Sequence, residues 1–220
     1  MDFLWYGLEL IPYVVMVLAI AFTVHEFAHA YVAYKFGDPT AKNQGRLTLS
    51  PLAHLDPIGT LLIFIAGFGW AKPVPVNRFY FKNPRLAGVL VSVAGPLSNL
   101  VIAFIGLAVW YILLSTGALS SLSSGIAEGL HQFFNILIFL NITLFIFNLF
   151  PFPPLDGYRI IEDLAPSGIR AKMTQFESYG MVVFLILVLT PLDKYTIQPA
   201  FSYGTDIVMT VFESILNPFF

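Results

Sequence analysis

The stretch Thr23-Val24-His25-Glu26-Phe27-Ala28-His29-Ala30 carries the pattern His-Glu-x-x-His within a long apolar run. On a helix, His25 and His29 lie four positions apart on one face, where two imidazoles can share one zinc ion. Glu26 projects beside them and can take a proton from a metal-bound water. The alternative, two packed histidines and a solvated glutamate, would leave a carboxylate in hydrocarbon without a partner. The stretch therefore predicts a metal site inside a membrane helix.

The composition around this stretch is that of a polytopic membrane protein. The chain has 220 residues, of which 57% are hydrophobic and 11% are charged, whereas soluble domains average about 25% charged residues. A net charge of -2 and the lack of a basic run argue against a nucleic-acid partner. Because cysteine is absent, a zinc site must use His, Asp or Glu. The N-terminus lacks the features of a cleaved signal peptide, so we expect the first apolar segment to remain as a transmembrane helix.

Long apolar runs predict an all-α membrane protein with about four to six membrane segments. The predicted segments are residues 3–35, 58–70, 86–114, 133–150 and 176–189, with an amphipathic interface helix near 207–216. Gly37, followed by Asp38 and a proline, is expected to end the first helix. The segment 58–70 is shorter than the roughly 20 residues that a span requires. We therefore expect it to be re-entrant, with a short tilted span as the alternative.

Basic residues predict which way the helices run. They flank the segment 58–70 on both sides, as Lys35, Lys42 and Arg46 before it and Lys72, Arg78, Lys82 and Arg85 after it. Because positively charged loops tend to stay in the cytoplasm, the first helix is expected to run inward. The metal site then lies towards the cytoplasmic side of a multi-pass cell-membrane protein.

Two polar segments, residues 43–50 and 72–77, predict a small membrane-associated β element. The prolines of the second segment suit an edge strand, and an exposed edge there could pair with an extended peptide. Two unrelated loops are the alternative. The chain is otherwise expected to be a single domain over residues 1–220, with a catalytic core at about 10–175 and an accessory C-terminal segment at 176–220.

A third metal ligand is expected because a catalytic zinc ion takes three protein ligands and keeps one position open. Asp156 follows a helix that prolines break, and it reaches the same membrane face as His25 and His29. These three residues supply the set. His54 is the competing third ligand, although a hydrogen-bonding or substrate-facing role suits a loop histidine better.

The remaining polar residues of the apolar segments also need an interpretation. Asn99 lies in a membrane helix at a depth similar to that of the histidines, and its amide needs a partner. The preceding Gly95-Pro96 pair indicates a kink or close helix packing. Solvated charges are predicted at Glu128, Glu162 and Asp163, a helix cap or turn at Asp56, and interface anchors at Trp5, Trp70 and Tyr80.

Three motifs in this order resemble the site-2 protease family of intramembrane zinc metalloproteases. They are His25-Glu26-Phe27-Ala28-His29, Gly95-Pro96-Leu97-Ser98-Asn99 and Leu155-Asp156-Gly157. The resemblance covers about residues 10–175 and is closest to compact members without PDZ or CBS domains. It implies one zinc ion per chain held by His25, His29 and Asp156. It also implies that Glu26 is the catalytic base and that Asn99 holds the substrate or the oxyanion.

The function expected from these residues is that of a zinc metalloendopeptidase that cleaves transmembrane substrates within or near the bilayer. Its partners would be a transmembrane protein or peptide and the surrounding lipid. A non-proteolytic metal-binding membrane protein, either a transporter or a scaffold, is the alternative. Glu26 favours the enzyme, because a transport or structural site needs no base beside its first histidine.

Overall fold

The computed structural model describes residues 7–66 and 69–220, which are almost entirely helical, as predicted. The α-helices of this part of the chain are α1 (Ile11–Lys35), α2 (Thr40–Asn43), α3 (Pro51–His54), α4 (Pro57–Ala66), α5 (Pro84–Ser115), α6 (Ser124–Asn148), α7 (Asp156–Leu164), α8 (Ser167–Leu189) and α9 (Asp193–Leu216). The predicted helix start at residue 3 and the predicted anchor Trp5 lie outside the described residues. Residues 8–10 form a turn that leads into α1.

Four of these helices are long and apolar enough to cross a membrane, namely α1, α5, α6 and the part of α8 that spans Ser167–Val188. This agrees with the lower end of the predicted range of membrane segments. Helices α6 and α8 each begin nine residues before the starts predicted at 133 and 176. The prediction followed apolar residues alone, whereas the first turns of both helices are polar.

Within the described residues, helix α4 is shorter than a membrane span. Its ten residues extend about 15 Å at 1.5 Å per residue, or half of the roughly 30 Å hydrocarbon layer. Ile63 of α4 packs against Val14, Leu18 and Phe22 of α1. This length and packing agree with the predicted partly inserted segment.

The main apolar core joins α5, α6 and α9. It contains Ala103 and Leu107 from α5, Ile138 and Ile142 from α6, and Phe212 and Leu216 from α9. The amphipathic interface helix predicted near 207–216 is thus the end of a longer helix that packs against the bundle. Phe212 and Leu216 are buried there, whereas Ile207, Val211 and Ile215 remain exposed on the other side of the helix.

The predicted β element is absent from the described residues. Residues 72–77 are extended but form no ladder, and an isolated bridge joins Leu55 and Ala71. The physical reason is that a side chain makes the connection: the Arg46 guanidinium donates to the carbonyl oxygens of Lys72 at 2.6 Å and Pro73 at 3.2 Å. The prolines in this segment have no N–H for a ladder. We refer to residues 71–77 as the strap.

The C-terminal end of α1 is fastened to the strap by Asp38. Gly37 adopts a φ of 104° after the last turn of α1, as expected for a helix-ending glycine. The fully buried Asp38 carboxylate then accepts hydrogen bonds from the backbone N–H groups of Asn77 at 2.6 Å and Thr40 at 2.9 Å. This carboxylate therefore joins two segments that are far apart in sequence.

We predict that Asp38→Ala lowers the free energy of unfolding by about 2–4 kcal/mol, because two partly buried N–H groups lose a charged, fully buried acceptor. The matched control is Asp56→Ala. Asp56 is half-buried and accepts from the N–H of Gly59 at 2.8 Å, which confirms the predicted cap. Its removal should cost about 1 kcal/mol. Equilibrium unfolding in detergent measures both, and equal losses would contradict the role assigned to Asp38.

Candidate metal centre

Three of the residues predicted as metal ligands converge at one point between α1 and the start of α7. The Nε2 atoms of His25 and His29 are 3.0 Å apart. Asp156 Oδ2 lies 3.2 Å from the first and 3.3 Å from the second. Ligand atoms around a tetrahedral zinc ion are expected to be roughly 3.3 Å apart. The spacing of the three atoms therefore fits a zinc ion.

The second nitrogen of each ring fixes where its proton lies. His25 Nδ1 is 2.7 Å from Asn99 Oδ1, and His29 Nδ1 is 2.7 Å from the carbonyl oxygen of Val91. Both partners are oxygen atoms that can only accept, so each Nδ1 carries a proton and donates it. In the neutral imidazoles both Nε2 atoms are consequently bare.

In the neutral imidazoles, the two bare nitrogen atoms face one another and the carboxylate. Two Nε2 lone pairs and the Asp156 carboxylate meet within 3.3 Å, which is repulsive unless a positive charge lies among them. An additional proton on one ring would neutralise part of this charge, but only a metal ion can contact all three atoms together. The donor set therefore suits a metal ion, and its nitrogen and oxygen atoms are ligands that zinc accepts.

Space for an ion beside the two rings depends on Gly95 in α5. A Cβ atom at this position would lie 2.3 Å from His29 Nε2 and 2.6 Å from His25 Nε2. Sequence analysis interpreted this glycine only through helix kinking and packing, and so missed this role. The signal available was its spacing of four from Asn99, which places both residues on one face of α5.

Glu26 lies next to the donor set but is bonded to the strap. Its side chain is buried, and Oε2 accepts a hydrogen bond from the backbone N–H of Val74 at 2.8 Å. This N–H belongs to the segment predicted to be an edge strand. The strap thus contacts the candidate base through one backbone group instead of presenting a paired edge.

The donor set and Glu26 line one cavity of about 970 Å³. One group of lining side chains is apolar, comprising Phe22, Leu144, Phe147, Met181, Phe184 and Leu185. A second group is charged, comprising Arg78, Arg159, Glu162 and Arg170. The cavity can therefore hold a chain that is apolar in one part and polar in another.

The prediction that Glu162 and Asp163 are solvated is wrong, because both side chains are buried. Asp163 is paired with Arg78 and with Arg170 at 3.2 Å, and Glu162 is paired with Arg159 at 3.0 Å. Buried carboxylates need such partners, and Arg78 is far from α7 in sequence. Glu128, by contrast, is exposed as predicted.

The surroundings shift the two buried carboxylates in opposite directions. Burial raises the pKa of Asp163, and the adjacent Arg78 and Arg170 oppose that rise. Burial also acts to raise the pKa of Glu162, but hydrogen bonds from Thr174 and Arg159 hold it below its usual value. Both groups lie on α7, close to Asp156 in sequence, so this network fixes the helix that carries the third candidate ligand.

His54 lies apart from the three converging residues. It is fully buried, and its Nε2 donates to the carbonyl oxygen of Thr48 at 2.7 Å. Within the described residues, the group able to hold a metal ion consists of His25, His29 and Asp156. The geometry therefore favours Asp156 over His54 as the third ligand.

A membrane-type helical bundle that brings two histidines and an aspartate together beside a buried glutamate has the parts of a metallopeptidase. Comparison with known families identifies the class further. The model of Peptidase family M50 matches residues 13–191. The chain therefore belongs to peptidase family M50.

Curated relatives agree with this family. The chain is 59% identical over 216 residues to "Putative zinc metalloprotease YwhC" of Bacillus subtilis (strain 168), with 98% of each chain covered. It is 35% identical over 187 residues to "Putative zinc metalloprotease Rip2" of Mycobacterium tuberculosis (strain ATCC 25618 / H37Rv), covering 80% of this chain and 68% of the relative. No solved structure shows significant similarity. These findings confirm the predicted family and, with it, the expectation of a zinc-dependent peptidase.

We predict that Gly95→Ala weakens zinc binding at least about tenfold, because the added methyl group displaces both rings. The matched control is Gly106→Ala in the same helix. There a Cβ atom meets the flexible Leu137 side chain at 3.1 Å, and a small shift relieves the contact. Titration of purified protein against a zinc chelator measures both affinities. If the two variants bound zinc with equal affinity, the space at Gly95 would not be required for metal binding.

Proposed function

We propose that this chain is an intramembrane zinc endopeptidase that cleaves transmembrane substrates within or near the bilayer. One observation carries the proposal: two bare imidazole nitrogens and a carboxylate oxygen meet within 3.3 Å inside a cavity among candidate membrane spans. Membership of peptidase family M50 supports the reaction type. The buried Glu26 beside these atoms supplies a group for proton transfer.

In this proposal, His25, His29 and Asp156 hold the zinc ion. The chemistry that zinc supplies when bound is polarisation of the peptide carbonyl and acidification of a water molecule. Asp156 adds negative charge to two neutral ligands, so a single net positive charge remains at the site. With this ligand set, the site would keep a positive charge that favours negatively charged oxygen atoms.

Glu26 holds and moves the proton. We propose that its carboxylate accepts the proton of the attacking water and returns it to the leaving amine nitrogen. The N–H of Val74 fixes the position of the carboxylate by its hydrogen bond to Oε2. The strap thereby contributes to catalysis through its backbone.

For Asn99 we propose a role that differs from the one the resemblance implies. Its Oδ1 accepts from His25, and its Nδ2 donates to Asn141 Oδ1 at 2.9 Å and towards the Ala21 carbonyl oxygen at 3.4 Å. Both ends of the amide are therefore engaged, and the residue is fully buried. Asn99 is well placed to orient His25, whereas binding an oxyanion would require it to release Asn141.

The substrate must present an extended peptide bond, because the backbone of a helix is shielded by its own side chains and hydrogen bonds. We propose that a transmembrane helix unwinds locally to enter the cavity between the apolar and the charged walls. The C-terminal end of α1, the start of α5 and the start of α7 carry the site. Lys35 and Arg85 flank these ends, which supports a cytoplasmic position for the site.

The ligand assignment predicts a large loss of zinc affinity in Asp156→Ala. The loss should exceed the roughly 10–100-fold that is typical when a residue hydrogen-bonded to a metal ligand is removed. His54→Ala should keep zinc per chain near that of the unaltered protein, although filling less of the core lowers its stability. Elemental analysis and chelator titration of both variants measure the difference. A reversed pattern would make His54 the third ligand.

The base assignment predicts that Glu26→Gln lowers the cleavage rate at least about 10²–10⁴-fold while zinc content is retained, because only the proton acceptor is removed. The exposed Glu128→Gln is the matched control and should cleave normally. Zinc per chain and cleavage of a membrane-peptide library are measured on the same preparations in liposomes. If Glu26→Gln cleaved as fast as the unaltered protein, the role of Glu26 as the general base would be refuted. If the unaltered protein and both variants bound zinc but none cleaved a peptide, the alternative of a non-proteolytic transporter or scaffold would be favoured.

A further inference from the structure

A chain of hydrogen bonds leads from His25 through two buried amides to the backbone of α6. His25 Nδ1 donates to Asn99 Oδ1 at 2.7 Å, and Asn99 Nδ2 donates to Asn141 Oδ1 at 2.9 Å. Asn141 Nδ2 then donates to the carbonyl oxygen of Leu137 at 2.8 Å. Both asparagine side chains are fully buried. The chain therefore connects α1, α5 and α6 without reaching solvent.

The last member of this chain sets the direction of every bond in it. The Leu137 carbonyl can only accept, so Asn141 must turn its NH₂ group towards it and its oxygen towards Asn99. Asn99 must in turn present its NH₂ group to Asn141 and its oxygen to His25. The ring of His25 is then required to donate from Nδ1.

We propose that Asn141 is a positioning residue for the metal centre, acting through Asn99 to keep Nε2 of His25 bare and directed at the ion. The inference rests on the proposed zinc site. Asn141 reaches His25 only through the amide of Asn99. Its contribution lies in the orientation of that amide and thus in the tautomer of the ring.

The two histidines differ in how they are held. His29 donates to the carbonyl oxygen of Val91, which belongs to the backbone and cannot turn around. His25 donates to a side-chain amide, which can rotate by 180° and exchange its oxygen for its nitrogen. His25 therefore needs a second residue to hold the amide, and Asn141 supplies it.

Loss of Asn141 would remove the stronger of the two bonds that keep the Asn99 amide in this orientation. In Asn141→Leu, the NH₂ group of Asn99 keeps only the weak contact with Ala21 at 3.4 Å. A reversed amide would donate to Nδ1 of His25 in place of accepting from it. The ring proton would then move to Nε2, where it would block the metal.

The experiment measures cobalt(II) and zinc(II) binding to the full-length protein in detergent by chelator competition, with the visible spectrum of the cobalt form as a reporter of ligand geometry. Asn141→Leu should weaken both affinities at least about tenfold and change the cobalt spectrum. Asn135→Leu is the matched control, because Asn135 is an exposed asparagine of the same helix and lies outside the cavity at the metal centre. It should retain affinity and spectrum.

A double-mutant cycle separates positioning from a general loss of structure. In the Asn99→Ala background, Asn141→Leu should have no further effect on metal affinity, because its route to His25 is already cut. An equal loss in both backgrounds would overturn the inference. Asn141→Asp provides a better-tolerated variant. It keeps an oxygen against Asn99, and the neutral acid that burial favours can donate to Leu137, so affinity should stay within about threefold.

Comparison with Asp156→Ala distinguishes failure of this inference from failure of the proposed centre. If the unaltered protein bound no more cobalt than Asp156→Ala, the metal site itself would be refuted, and the inference with it. If the unaltered protein binds cobalt through Asp156 and Asn141→Leu binds it equally well, only the role of Asn141 fails.

Discussion

The structure around the candidate site depends on one electrostatic constraint: two bare imidazole nitrogens must be held against a carboxylate in a largely apolar bundle. Atoms with lone pairs repel one another at 3.0–3.3 Å, so this arrangement requires a cation and a scaffold that resists rearrangement. Each imidazole could relieve the repulsion by moving its proton to Nε2. The hydrogen bonds at the two Nδ1 atoms oppose that change.

One face of α5 supplies most of this scaffold. Val91, Gly95 and Asn99 follow each other at intervals of four and therefore line one face of the helix. Val91 holds His29 by its carbonyl oxygen, and Asn99 holds His25 by its side-chain amide. Gly95, between them, leaves space beside both rings. A backbone carbonyl, an absent side chain and an amide thus perform three different tasks on the same helical surface.

Sequence reasoning found the membrane spans, and it selected three residues that the structure brings together, because these signals are local or strongly periodic. The pattern at His25 and His29, the apolar spans and the isolated aspartate at position 156 all lie within short segments. It failed for the β element, because Arg46 joins the strap through a side chain rather than a ladder. It also failed for Glu162 and Asp163, whose burial depends on Arg78 from a distant segment. Asn141 was unremarkable in sequence, because its partner Asn99 lies 42 positions away.

The strap shows why the candidate site needs those distant contacts. Its N–H at Val74 bonds to Glu26 on α1, and Arg78, which directly follows the strap, pairs with Asp163 on α7. The two histidines belong to α1 and the aspartate to α7, so the strap joins the two elements that carry the candidate ligands. A buried ion pair is a weak source of stability, since desolvation offsets much of its attraction. The ion pair between Arg78 and Asp163 nevertheless restricts α7 to one position, because moving the helix would leave buried charges without partners. The charged network is therefore best understood as a constraint on the geometry of Asp156, and the energetic cost of burying it is tolerated for that constraint.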